Sequence, residues 1–209
     1  MNKWIKYLMV GAVAAGVALS SYGAAITVNS SAAVNTFLTL ADGTYIPTAD
    51  PTVISIGTFA STPTDGSSSL AGFTAFATTT INNGDGSWST SSTADEGIFS
   101  HQQIDIVVQE NTVNQLGIFY VNMANNTTWK FPAGTDVQNF TTMDLQDLLA
   151  NPNGVNTSLA TGAHIVWGSS AVTGDTFNQL RLAVVPEPSS IMLVAVGLLG
   201  MFGLMRRRS

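Results

Sequence analysis

Phe177-Asn178-Gln179-Leu180-Arg181-Leu182-Ala183-Val184-Val185 alternates along its whole length. Leu180, Leu182 and Val184 fall on one side and Gln179 and Arg181 on the other, the period of two required of a strand with one buried face. The stretch runs into Pro186 without a linker. Upstream, the chain repeats this grammar in short segments. Val34 to Leu40 places Val34, Leu38 and Leu40 opposite Phe37, and Asp42-Gly43 follows as a turn. Val53 to Phe59 is apolar and β-branched behind Asp50-Pro51, Gly72 to Thr80 carries Phe73 and Phe76, and Ser87 to Ser91 surrounds Trp88. Gln103 to Val108 points Ile104, Ile106 and Val108 inward and Asp105 outward. Leu116 to Met123 is apolar on both faces, as a central strand is. His164 to Gly168 is one more strand.

A single helix is expected where Thr141 and Asp144 resemble a capping box, Leu145, Leu148 and Leu149 share a face, and Asn151-Pro152-Asn153-Gly154 ends it. Eight to ten short strands with polar turns predict a mostly β body, an antiparallel β-sandwich-like fold with one short helix, over residues 26–185. That length is enough to bury a core. With no cysteine in an exported chain, packing and sheet hydrogen bonds have to hold it.

The residues after the strand set the chain's destination. Pro186, Glu187 and Pro188 form a stiff, extended handle, because proline fixes φ and constrains the residue before it. Ile191 to Met205 then runs 15 residues without a charge. As a helix it spans about 22 Å, and Ser189 and Ser190 extend it to the short end of the range for a bilayer crossing. A transmembrane helix over 189–205 is therefore expected, with Arg206, Arg207 and Arg208 in a cytoplasmic tail at 206–209 and the handle outside.

This order of handle, apolar run and arginine block, over residues 185–209, resembles the PEP-CTERM sorting signal of exported bacterial proteins. The resemblance implies that Pro186, Glu187 and Pro188 are recognised by an exosortase, a membrane cysteine peptidase thought to remove the tail, which makes residues 186–209 the sorting segment. Leu40-Ala41-Asp42-Gly43-Thr44, Ile56-Gly57-Thr58-Phe59 and Thr128-Trp129-Lys130-Phe131-Pro132 also resemble a group of PEP-CTERM cargo domains to which no activity is assigned.

The N-terminus agrees. Lys3 and Lys6 precede an apolar run from Leu8 to Leu19, followed by small residues, so residues 1–25 are expected to be a signal peptide for the Sec export machinery. Cleavage is expected near Ala25, before Ile26; Ala18-Leu19-Ser20 offers another site before Ser21.

Five of the seven basic residues lie in these two ends. The body keeps Lys130 and Arg181 against twelve acidic residues, a net charge of −10. That excludes a nucleic-acid partner, which needs a basic footprint. No nucleophile elbow, phosphate loop or dinucleotide fingerprint is present. His101 and His164 are too few for a zinc site without cysteines, and Asn82 to Asp85 lacks the EF-hand spacing, so no metal site and no cofactor are expected. Asp105 and Glu110 bracket an extended stretch, and paired carboxylates can in principle run glycoside hydrolysis, but the two are expected to be ordinary surface acids. Trp88, Trp129 and Trp167, with Tyr45 and Tyr120, offer the material for a sugar-stacking platform. Asn29, Asn125, Asn126, Asn139 and Asn156 head sequons that this Asn/Ser/Thr-rich composition explains.

The expectation is a non-enzymatic, exported protein. It begins as an inner-membrane-anchored precursor, is sorted by exosortase, and reaches the cell surface or extracellular matrix in association with extracellular polysaccharide. The alternatives are a carbohydrate-binding β-sandwich module or a secreted glycoside hydrolase.

Overall fold

A computed structural model describes residues 24–30, 36–46, 52–81, 88–94, 97–133, 140–150, 158–173 and 177–186. The chain is mostly β. The strands are β1 (Ala24–Ser30), β2 (Thr36–Thr39), β3 (Val53–Phe59), β4 (Phe73–Thr80), β5 (Trp88–Ala94), β6 (Asp105–Glu110), β7 (Gln115–Val121), β8 (Phe140–Asp144), β9 (Ala163–Trp167), β10 (Ser169–Thr173), β11 (Phe177–Arg181) and β12 (Ala183–Val184).

They form three sheets. The largest runs β12-β7-β6-β3-β4, with β9 sharing the outer edge of β7 beyond β12. Its pairings are all antiparallel. A second sheet runs β5-β1-β8 and a third β10-β11-β2. Each of these carries one parallel pair, β1 with β8 and β11 with β2. One apolar core joins all three, from Ile26 and Trp88 through Leu38 and Leu180 to Ile54, Ile106, Ile118 and Phe119.

The strand positions β3, β4 and β7 follow the apolar runs that mark them in the sequence. Three elements differ from expectation. Phe177 to Val185 is two strands in two sheets: β11 pairs with β10 and β2, the chain breaks at Leu182, and β12 joins β7. Leu180 and Leu182 are buried as the alternation requires, but Val184 is exposed and Gln179 is buried. Gln179 is accommodated because its amide donates to the Gly43 carbonyl at 3.2 Å and its Oε1 accepts from Arg181 Nε at 3.0 Å.

The expected helix after Thr141 is absent. Thr141 and Thr142 extend β8 against β1, and only Leu145–Leu148 coils, as a 3-10 turn. Asp144, not Thr141, caps that turn, its Oδ1 accepting from Gln146 N at 3.1 Å. Leu145 and Leu148 reach the core from this single turn. The third difference is burial on β6. That strand lies between β3 and β7, and Asp105 and Glu110 are each 1% exposed rather than solvated.

Candidate functional site

The tail leaves the body at a built junction. Glu110 ends β6, and its Oε1 and Oε2 accept from Thr112 N at 2.6 Å and Val113 N at 2.7 Å. These two bonds close the turn into β7. Asn114 completes it in the left-handed region, φ 52°, a conformation that Asn tolerates better than most side chains. It then holds the departing chain from both ends of one peptide step. Val185 N donates to the Asn114 carbonyl at 2.9 Å, and Asn114 Nδ2 donates to the Val185 carbonyl at 3.0 Å. Pro186 follows at once and is exposed. Glu187, Pro188, the apolar run 189–205 and Arg206, Arg207 and Arg208 lie outside the described residues, as do residues 1–23. Among the described residues no helix is long and apolar enough to cross a membrane.

In comparisons with known proteins, residues 184–208 match the family model of the PEP-CTERM protein-sorting motif. The chain carries a PEP-CTERM sorting motif. No curated protein and no solved structure matches the chain. The PEP-CTERM motif begins at the last residue of β12, so the sorting signal and the edge of the largest sheet share Val184. The motif implies an exported, membrane-anchored precursor that an exosortase processes for the cell surface.

The aromatic residues do not form a platform. Trp88 is 1% exposed and Trp129 is fully buried, its indole donating to Asp147 Oδ2 at 3.0 Å. An indole enclosed on both faces has no surface for a sugar. Trp167 is half-buried and donates to the Ala183 carbonyl at 3.3 Å. Tyr45 is exposed but packs edge-on against Phe37, and Tyr120 is buried. The two histidines sit apart: His101 is in an exposed turn with φ 59°, whereas His164 lies on β9. Asn82 to Asp85, Asn139 and Asn156 lie outside the described residues.

A polar cluster that sequence reasoning missed lies at the other end of β6. Asp105 pairs opposite Gly57, which brings no side chain, and its Oδ2 accepts from Phe59 N at 3.2 Å. Its Oδ1 is buried without a donor. Burial pushes the carboxyl up to about 7, partly opposed by the Phe59 hydrogen bond. Tyr120 on β7 stacks on His164, with ring centroids 4.7 Å apart, and His164 Nδ1 lies 3.3 Å from both oxygens of Asp65. Burial, then Asp65 and Asp105, raise the Tyr120 phenol above its ordinary value. Asp105 and Tyr120 line a cavity of about 120 Å³ with Phe59, Thr62, Pro63, Gln103, Asn122 and Met123. Asp105 and Glu110 therefore do not form a catalytic pair. One closes the junction turn, and the other faces this separate cavity. The signal in the sequence was the unbroken apolar setting of Asp105, between Ile104 and Ile106-Val107-Val108, which marks a strand covered on both faces.

Proposed function

We propose that this protein is a non-enzymatic surface or matrix protein, delivered by the signal peptide and the Sec machinery. In this scheme helix 189–205 holds it at the outer face of the inner membrane until exosortase acts on Pro186-Glu187-Pro188. The processed body then associates with extracellular polysaccharide through its Ser/Thr/Asn-rich exterior rather than through a tryptophan platform. The observation that carries the proposal is the PEP-CTERM match beginning at residue 184, with Pro186 exposed directly beyond the Asn114–Val185 bonds. Pro186, the first residue of the handle, directly follows the last residue that these bonds hold.

The test is Glu187→Ala in the full chain, expressed in a host with a matching exosortase. The substitution leaves the apolar run and the three arginines untouched, so insertion is retained, while the handle loses its only carboxylate. The expected result is a membrane-bound precursor that keeps its arginine tail, seen by fractionation and intact mass. Equal release of mutant and wild type with identical C-termini would overturn the proposal. Co-sedimentation of the processed protein with purified extracellular polysaccharide tests the last step on its own.

A further inference from the structure

The cavity beside Asp105 is separate from the sorting junction and is built from different residues. Its floor holds a carboxylate with one oxygen satisfied by Phe59 N and the other, Oδ1, buried without a donor. A buried acceptor left without a partner costs about 1–3 kcal/mol, and more when charged. Below about pH 7 the carboxyl's own proton relieves this, and above it an external donor is needed. Three properties of the cavity say what that donor is.

The first is charge. The body's two cations, Lys130 and Arg181, do not line the cavity. Tyr120 is the neighbouring titratable group, and Asp65 and His164 lie behind it. Once ionised, the Asp105 carboxylate has no Lys or Arg in the cavity lining to balance it, which favours a cation over a neutral donor. The second is size. A cavity of about 120 Å³ falls just below the roughly 150 Å³ that admits benzene. It has room for an ammonium head with a short aliphatic stem. The third is the character of the walls. Phe59 and Tyr120 offer aromatic surface, Met123 an unbranched thioether, Thr62 a hydroxyl oxygen, and Gln103 and Asn122 amide groups, with the Gln103 Nε2 already donating to the Ile104, Val121 and Trp129 carbonyls. Aromatic and thioether surface suits a methylene stem and an adjacent positive charge.

We propose that this cavity is a binding site for a primary alkylammonium group, with Asp105 Oδ1 as its counter-ion. The group comes either from a free small amine or from the lysine side chain of another polypeptide. The shared chemistry is a CH2–NH3+ head entering past Met123.

The experiment uses the full chain in a nonionic detergent with 13C-labelled aspartate carboxyls. Asp105 is assigned by comparison with Asp105→Asn. Ethylammonium and the lysine derivative Nα-acetyl-lysine methylamide are titrated separately, with ethanol as the neutral control and tetramethylammonium as the control without N–H donors. Saturable movement of the Asp105 carbonyl signal with ethylammonium, at least tenfold tighter than with either control, is the expected result. Binding by the lysine derivative as well assigns the site to side-chain heads, and its failure assigns the site to free amines. Affinity rises about tenfold from pH 6 to pH 8 as Asp105, pushed up to about 7, ionises. A His164→Gln variant that keeps this dependence places it on Asp105 rather than on the histidine. Asp105→Asn, which lacks the reporter carboxyl and is followed beside wild type by isothermal titration calorimetry, loses at least tenfold in affinity. The proposal is overturned if ethanol binds as well as ethylammonium, if the wild-type signal does not move, or if Asp105→Asn binds unchanged. The wild-type titration stands even where the variant fails to fold.

Discussion

Asp105 and Glu110 bound one six-residue strand and are equally buried, yet burial acts on them in different ways. Glu110 gives each oxygen a backbone N–H, so its charge is stabilised where it sits. Removing it with Glu110→Ala leaves Thr112 N and Val113 N without these acceptors and should cost about 2–4 kcal/mol in denaturant unfolding. Asp105 has one donor for two oxygens, and its folded-state pKa is raised from an ordinary value near 3.8 to about 7. Between those two pH values the folded chain holds a proton that the unfolded chain has released. The contribution of Asp105 to stability therefore falls as pH rises through this window. Asp105→Asn removes that slope. The stabilities of the two proteins should differ by a constant below about pH 3 and diverge in favour of the variant from there up to about pH 8, with a ceiling of about 4 kcal/mol. Parallel curves across the window would show that Asp105 ionises normally. The tryptophans teach the same lesson at this scale. Their chemistry is visible in the sequence, but the burial of Trp88 and Trp129 depends on what packs over them.

At the scale of elements, the chain changes sheets twice near its C-terminal end. It passes from the largest sheet to the third between β9 and β10, and returns between β11 and β12. Gly168 makes the first crossing with φ 126°, where a Cβ would stand 2.5 Å from the Arg181 carbonyl oxygen at the second. Gly168→Ala should therefore destabilise by more than about 2 kcal/mol, read as a lowered melting temperature. The return crossing delivers the chain to Asn114. Asn114→Gly keeps the left-handed turn and removes only the side-chain bond to Val185. It should cost about 1 kcal/mol and accelerate amide exchange at Val184 and Val185 without affecting β3. Unchanged exchange there would mean that β12 is held by its ladder to β7 alone. None of this was legible in Phe177 to Val185 by itself, because the alternation runs unbroken through a corner. The pattern of side chains records which residues are buried, not which sheet buries them. The lost helix has the same cause. Three leucines on one face are compatible with a helix, but one 3-10 turn delivers Leu145 and Leu148 to the core once β8 is paired in parallel with β1.

For the whole molecule, β1 is the middle strand of its sheet, between β5 and β8, so the N-terminal boundary of the body is a structural matter. Ala24 and Ala25 already pair with Ala94 and Thr93. Cleavage before Ile26 shortens β1 to five residues, and cleavage before Ser21 keeps all seven. Fragments 21–185 and 26–185 should both give β-dominated far-UV circular dichroism that is indifferent to reductant, since the chain has no cysteine. The longer fragment should be more stable by about 1–2 kcal/mol for the retained ladder bonds. By itself the sequence determined the strand-rich class, the apolar runs of β3 and β7, and the sorting tail, because these are properties of contiguous residues: period, β-branching, and the order of handle, apolar run and arginines. Tertiary structure alone decided the parallel pairings, the corner at Leu182, the Asn114 hold on Val185, and the enclosure of Asp105 beside an empty-walled partner at Gly57. Each of those joins residues far apart in the chain, and which distant segment covers a given face is settled by packing rather than by local pattern.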